Sequence, residues 1–322
     1  MNKKIVEKIF KEHNLGEVET FQNIEIGFTN KVYLINDKFI LKVCEDESNE
    51  PNFEIEVFFY NFFQDKIPVP EIKVFDKSKD IYGKFFMVYP KIEGDNLYSK
   101  WHLLNNEQRK NIIKQLCDIL KIINKSPLDK FKQEFKTNFS DNWHDKILNQ
   151  IQNSLKKIEE NKILSTDFLK AIKKFVDDNH KVIKEQKMTL VYWDVHFDNI
   201  LIQDTKIVGI LDFERTEFVS IDFTLGVVKK MIEHPKKYMS EKMEKFARKE
   251  DYVHLLDWFR EFYPELFNFK SLDKRLDFYS LKHDLDILPD WPNSKELKQI
   301  IAKTVKYDAP LFKNNGRHTL KR

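Results

Sequence analysis

The stretch from Leu190 to Glu214 constrains this chain more than any other. Two short apolar runs, Ile200–Ile202 and Ile207–Leu211, flank Asp204-Thr205-Lys206 and read as a hairpin among otherwise helical patterning. Polar residues stand where its strands begin and end: Asp194 and Asn199 on the way in, Asp212 on the way out. Asn199 and Asp212 are about equidistant from the centre of the turn, so a simple hairpin sets them side by side. A carboxylate and an amide oxygen meeting there, with Asp194 nearby, suit a hard cation such as magnesium. Magnesium takes few protein oxygens and completes its octahedron with water and phosphate. Singly, each residue is an ordinary strand end or turn residue. The trio in this arrangement points to chemistry.

The rest of the pattern describes what surrounds the hairpin. Residues 3–13 carry Ile5, Val6, Ile9 and Phe10 at helical spacing. Strands are predicted over 20–26, 31–35 and 39–43, with Asn36-Asp37 turning the last two into a hairpin. A helix over 54–63 stops at Pro68-Val69-Pro70, and strands follow at 72–75 and 84–89 around a turn at Tyr82-Gly83. Beyond Asp95 the chain is mainly helical, with stripes over 112–123 and 168–182 and about four further helices over 222–305. Strand signals return only at 190–193, 200–202 and 207–211, and Lys313–Arg322 reads as a frayed basic tail. The expected class is α+β. Residues 1–91 make a small β-rich lobe and residues 92–322 a larger helical one.

Composition narrows the function classes. Fifty-five Lys and Arg against 52 Asp and Glu leave a net charge of +3, too balanced to imply a nucleic-acid partner. Two cysteines, Cys44 and Cys117, cannot build a disulfide framework or a multi-cysteine zinc site. The first residues run into charge without a long apolar stretch, and no segment approaches the roughly 18 apolar residues of a membrane helix. The chain is expected to be cytoplasmic, with no membrane partner.

Lys42, within Phe39-Ile40-Leu41-Lys42-Val43, adds to the hairpin. It follows the turn Gly27-Phe28-Thr29-Asn30, whose backbone amides could cover phosphates while the lysine pairs with them. With these residues together, the sequence resembles the aminoglycoside phosphotransferase and choline-kinase-like family, relatives of protein kinases. The family's His-Gly-Asp-x-x-x-x-Asn loop corresponds to Tyr192-Trp193-Asp194-Val195-His196-Phe197-Asp198-Asn199. Its Ile-Asp-Phe/Trp-Glu segment corresponds to Leu211-Asp212-Phe213-Glu214, and its inter-lobe hinge to Met87–Gly94. Ile67-Pro68-Val69-Pro70 is also typical of it, and the similarity covers about residues 20–230.

The resemblance implies a bilobal protein-kinase-like fold and a kinase of small molecules. By it, Asp194 orients an acceptor hydroxyl and takes its proton, while Asn199 and Asp212 hold Mg2+ on the phosphates of ATP or GTP. Lys42 neutralises those phosphates, and a helix carboxylate, Glu56 in preference to Glu54, positions the lysine. Gly27, Asn30, Val88 and Tyr89 complete the implied nucleotide site. Three departures stand out: Tyr192-Trp193 replaces His-Gly, the stretch from Asp212 to Asp222 is short, and Ile123-Asn124 replaces Leu-His. A tyrosine hydroxyl could supply the brace that the missing histidine normally provides. His196 reads as loop structure rather than as a base.

The acceptor is expected to be a hydroxyl-bearing cation of aminoglycoside type. Asp257 and Glu261, four apart on one helical face, and Asp286, Asp290 and Trp291 are the candidate contacts, with Asp284 in the same acidic stretch. The aromatic stripe Trp258, Phe259, Phe262 and Tyr263 reads as core. Two readings compete: a metabolic kinase for a sugar, choline or amino alcohol, and a nucleotide-binding pseudokinase. Retention of Lys42, Asp194, Asn199 and Asp212 together argues against the second.

Overall fold

A computed structural model describes residues 1–24, 30–127, 129–135, 142–236 and 241–308. The chain forms two compact units, one of Met1–Phe139 with Thr189–Leu266 and one of Ser140–Met188 with Phe267–Arg322. The boundary expected at 91/92 falls inside the first unit.

The first unit opens with helix α1 (Lys3–Glu12), started by the Asn2 side chain accepting from the Ile5 amide. It lies on a five-stranded sheet of β1 (Phe21–Ile24), β2 (Asn30–Ile35), β3 (Phe39–Cys44), β4 (Val74–Asp76) and β5 (Phe86–Pro90), in the order β1-β2-β3-β5-β4. All pairings are antiparallel. Asn36 and Asp37 both take positive φ, 55° and 53°, which matches the right-handed twist of a two-residue hairpin. The Asn36 side chain also accepts the Glu19 and Thr20 amides at 2.8 and 3.0 Å, fixing the entry of β1.

The period of two along β3 sets the site. Leu41 and Val43 join Val6, Ile9, Phe10, Phe86 and Val88 in the core beneath α1. Lys42, between them, faces the other side, toward helix α2 (Glu50–Phe63). That helix begins four residues earlier than the apolar pattern predicts. Pro51 sits in its first turn, where a missing N–H costs nothing.

The remaining elements of the first unit are β6 (Asp95–Asn96), α3 (Leu97–Trp101), α4 (Asn106–Asn124) and α5 (Asp129–Glu134). In chain order α6 (Trp143–Glu160) and α7 (Thr166–Asn179) follow, both in the second unit. Then come β7 (Met188–Tyr192), β8 (Ile200–Gln203), β9 (Lys206–Ile210) and β10 (Thr216–Ser220), before α8 (Thr224–Glu233), α9 (Glu241–Glu244) and α10 (Leu255–Phe262). Helix α4 carries a full capping box between Asn105 and Gln108, and it buries the expected stripe from Ile112 to Ile123. The strands β6, β8 and β9 form one small sheet, and β7 pairs with β10. Strands β6 and β10 are additions to the expected set. Thr216–Ser220 alternates too briefly to announce itself, and tertiary pairing with β7 makes it a strand. Gly94 is required where the chain enters β6, since a Cβ there would lie 2.8 Å from Val208 Cγ2.

In the second unit α6, α7 and α12 (Lys295–Thr304) pack around α11 (Leu272–Ile287). Arg275 is fully buried in it, donating to the Val182 and Glu185 carbonyls at 2.5 and 2.7 Å. Among the described residues no helix is long and apolar enough to cross a membrane. The tail Lys313–Arg322 lies outside the described residues.

Candidate active site

Lys42 reaches both oxygens of Glu56, at 2.8 and 2.7 Å, and its Nζ lies 3.6 Å from Asp212 Oδ1. Lysine and glutamate are buried, at 7% and 0% exposure, so the pair is largely shielded from water while the lysine keeps a narrow opening. Burial works against the Lys42 charge, but Asp212, Glu56 and Glu214 together outweigh it and hold the ammonium well above its ordinary range. Burial likewise pushes the Glu56 carboxyl up to about 7, leaving the Lys42 ammonium as the influence that keeps it ionised. Glu54 instead pairs with Lys77 at 3.1 Å near the surface, so the lysine's partner is Glu56.

The hairpin places the other groups. Ile200 faces Ile210, and the irregularity between Leu201 and Ile202 shifts the register by one. Asn199 therefore stands opposite Leu211, whose amide donates to the Asn199 carbonyl at 2.9 Å, and Asp212 comes one residue later. The side-by-side expectation for Asn199 and Asp212 is off by one residue even so, because the turn is centred between Asp204 and Thr205 and the irregularity recovers only one of the two residues of offset. Asp212 takes a left-handed backbone, φ 59° and ψ 67°, which turns the chain into a short 3-10 segment at Phe213–Arg215.

Before β8, the loop from Trp193 to Asp198 is tied down at several points. The Asn199 side chain donates to the Asp194 carbonyl at 3.0 Å, and Asn96 donates to the Asp198 carbonyl at 2.8 Å. His196 Nε2 lies 3.2 Å from Asp194 Oδ1. Burial opposes charging of the imidazole, yet the Asp194 carboxylate more than offsets this, so His196 holds its proton more firmly than a free histidine. That contact makes His196 a neighbour of the carboxylate as well as part of the loop. In place of the family's His-Gly, the Tyr192 hydroxyl donates to the Leu211 carbonyl at 2.8 Å, and Trp193 Nε1 donates to Glu217 at 3.3 Å.

Three residues at this centre had no role assigned from sequence. Glu214 is buried beside Asp212, and its Oε2 accepts from Asn30 at 3.3 Å and Asn49 at 3.4 Å. Burial, and then the Asp212 charge, pushes its carboxyl up. Oxygens of Glu56, Asp212 and Glu214 all lie within 4.8 Å of one another. Tyr60, one helical turn after Glu56, donates to Glu56 Oε1 at 2.7 Å and accepts the Asp212 amide at 2.8 Å. The i, i+4 spacing of Glu56 and Tyr60 is a signal that sequence reading could have used. The distant pairing of Asn49 with Glu214 is not.

The other nominated residues are placed as follows. Asn30 begins β2 and is engaged by Glu214, while Gly27 lies outside the described residues. Val88 and Tyr89 are buried in β5, where they pair with Leu41 and Ile40. Asp257 and Glu261 share α10, but Glu261 is paired to Lys110 at 2.9 Å and Asp257 lies 3.8 Å from Arg260. Asp286 accepts from Ser154 and pairs with Lys282, both at 2.7 Å, and belongs with Asp290 and Trp291 to the second unit. Asp290 is exposed and Trp291 is 60% exposed. Trp258, Phe259 and Tyr263 are core, as expected.

A β-sheet lysine paired with a buried helix glutamate, together with a loop and hairpin bearing Asp194, Asn199 and Asp212, defines the protein-kinase-like class. The sequence profile of the phosphotransferase enzyme family matches residues 20–221, and the chain belongs to that family. Solved structures agree in fold. The ADP-bound aminoglycoside phosphotransferase APH(2'')-Ib superposes with a TM-score of 0.69 at 16% identity, over 95% of this chain and 97% of that one. The gentamicin complex of APH(2'')-IIa gives 0.71 at 16%, over 96% and 97%. A ternary complex of APH(4)-Ia with ADP and hygromycin B gives 0.66 at 14%, over 94% and 98%. No curated protein matches the sequence.

Proposed function

We propose that the chain transfers the γ-phosphoryl group of ATP or GTP to a hydroxyl of a small cationic molecule of aminoglycoside type. The observation that carries this is the convergence of Lys42, Glu56 and Asp212 in one charged cluster, at the end of a hairpin that also orders Asp194 and Asn199. Lys42, held by Glu56, neutralises donor phosphates. Asn30 and Tyr89 border the nucleotide on the Lys42 side, whereas the Val88 side chain is turned into the core beneath α1 and could offer only its backbone. Asp194 accepts the acceptor's hydroxyl proton as the new O–P bond forms and the bridging O–P bond to the β-phosphate breaks. His196, 3.2 Å away, holds that carboxylate in place.

The donor set suits Mg2+. Asp212 Oδ1 is buried with no hydrogen-bond partner, and the ligands on offer are hard oxygens. Asn199 and Asp212 would hold the ion, which would supply neutralisation of the donor's phosphate charge. Support for the acceptor class comes from the fold shared with aminoglycoside phosphotransferases solved with gentamicin and hygromycin B.

A second reading, a metabolic kinase for a sugar or amino alcohol, draws on one observation. Glu261 and Asp286 are each occupied by a lysine, which leaves less free acid for a polycation. Nucleotide turnover across aminoglycosides, choline, sugars and homoserine separates the two. In the same assay Asp194→Ala should lower kcat by at least about a hundredfold while nucleotide affinity stays within about threefold, because Asp194 acts on the acceptor side. Wild-type turnover in Asp194→Ala, or no acceptor-dependent turnover by the intact protein, would overturn the proposal.

A further inference from the structure

Two buried tyrosine hydroxyls grip opposite ends of one peptide group. The Leu211–Asp212 peptide presents its carbonyl to the Tyr192 hydroxyl, which donates to it at 2.8 Å. It presents its N–H to the Tyr60 hydroxyl, which accepts it at 2.8 Å. The two tyrosines come from separate elements, α2 and the end of β7. Their rings close on the buried Phe213, Tyr192 stacked at 4.7 Å and Tyr60 edge-on at 5.7 Å. Tyr60 in turn donates its hydroxyl hydrogen bond to Glu56 Oε1, which also accepts from Lys42. An unbroken chain of hydrogen bonds thus runs from the Asp212 amide to the Lys42 ammonium.

The residue that follows this peptide is the one whose backbone is held left-handed. In that region the direction of the Asp212 side chain depends on the orientation of the peptide before it, and few residues rest there unaided. Tyr60 and Tyr192 are 1% and 0% exposed, so neither can touch a substrate. Burial holds both phenols well above their ordinary range, so both remain able to donate.

We propose that Tyr60 and Tyr192 are positioning residues that clamp the Leu211–Asp212 peptide and thereby aim the Asp212 carboxylate at the metal–nucleotide site. Tyr60 also couples that aim to the Glu56–Lys42 pair. This rests on the reading of Asp212 as a metal ligand.

The test uses the full chain and the variants Tyr60→Phe, Tyr192→Phe, the double variant and Asp212→Asn, since phenylalanine keeps the ring packing and deletes only the hydroxyl. Mn2+ binding in the presence of ADP is followed by electron paramagnetic resonance, and exchange of the Asp212 amide is followed by NMR without metal. Each Phe variant should weaken Mn2+ binding roughly tenfold, the scale of one lost buried hydrogen bond. The double variant should be far from additive, because a peptide released at one end is no longer held at the other. Amide exchange at Asp212 should accelerate most in Tyr60→Phe. Wild-type Mn2+ affinity and exchange in both Phe variants, with Asp212→Asn impaired, would overturn the clamp and leave the metal reading intact. Wild-type Mn2+ binding by Asp212→Asn would overturn the metal reading and the clamp with it. A lowered Tm with unchanged Mn2+ affinity would reduce the tyrosines to a structural role and also overturn it. Should Tyr60→Phe fail to fold, Tyr192→Phe decides through amide exchange at Asp212, because the Tyr192 hydroxyl also meets Asn199 and Mn2+ affinity alone would not isolate the clamp.

Discussion

Asp212 adopts a conformation that asparagine and aspartate tolerate better than most side chains, which makes Asp212→Asn a clean substitution. The amide preserves shape and backbone preference and removes only the negative charge, 3.6 Å from Lys42. The variant should fold with a wild-type circular dichroism spectrum and lose on the order of a hundredfold or more in turnover. Turnover near wild type would remove Asp212 from the chemistry. At this scale the sequence was legible where residue type and spacing both speak: Lys42 in an apolar strand, Asp194 and Asn199 before the hairpin, Asp212 after it. Glu214 and Tyr60 were not, because their roles come from contacts across the fold. Asn30 and Asn49 meet Glu214 from more than 160 positions away in sequence, |i−j| being 184 and 165. The hairpin register was off by one residue because the turn is centred between Asp204 and Thr205, with Gln203 facing Lys206; the irregularity at Leu201/Ile202 recovers one of the two residues of offset.

Elements were legible in proportion to their length and periodicity. The stripe of α4 was plain, and the Asn36-Asp37 turn followed from its chemistry. The start of α2 and the strand β10 were hidden, one behind Pro51 and the other behind a pairing that only the folded chain supplies. One join between elements carries a pH signature. His144, at the start of α6, meets His180, just past α7, with Nε2 and Nδ1 2.9 Å apart, while Asp145 holds the other nitrogen of His144 at 2.8 Å. One proton serves that nitrogen–nitrogen contact, and a second must break it. Burial lowers the His180 pKa, and His144, Lys184 and Lys181 lower it further against the opposing pull of Asp177. The folded state therefore binds fewer protons here than the unfolded one. Stability from this group is complete above the ordinary value of 6.5 and erodes as pH falls below it. Thermal unfolding of the wild type and His180→Gln between pH 5 and 8 (about the window in which histidine titrates) should show a Tm that falls on acidification more steeply in the wild type. Parallel Tm–pH curves would show that the pair does not titrate on unfolding.

Across the whole molecule, the β-rich beginning and helical remainder were readable, but the division into compact units was not. Nothing in a linear pattern announces that α11 gathers α6, α7 and α12. Charge at this scale also bears on the acceptor. A net charge of +3 gives a cationic substrate no global attraction, so any preference for cations must come from local carboxylates within a Debye length, about 8 Å at physiological salt. On α10 the candidate is Glu261, which must exchange Lys110 for an ammonium group of the acceptor. That competition gives the prediction its direction. With a kanamycin-like acceptor, KM should rise as salt increases from low to high ionic strength, while KM for any neutral sugar should not move. Lys110→Ala should lower KM for the cation, because it frees Glu261 without altering Asp194, Asn199 or Asp212. An exposed pair of this kind is worth about 1 kcal/mol or less, so the change should be no more than about fivefold. An unchanged KM in Lys110→Ala would take Glu261 out of the acceptor site. Efficient, salt-independent phosphorylation of a neutral sugar, with every cationic compound inert, would replace the aminoglycoside-type acceptor with the metabolic one.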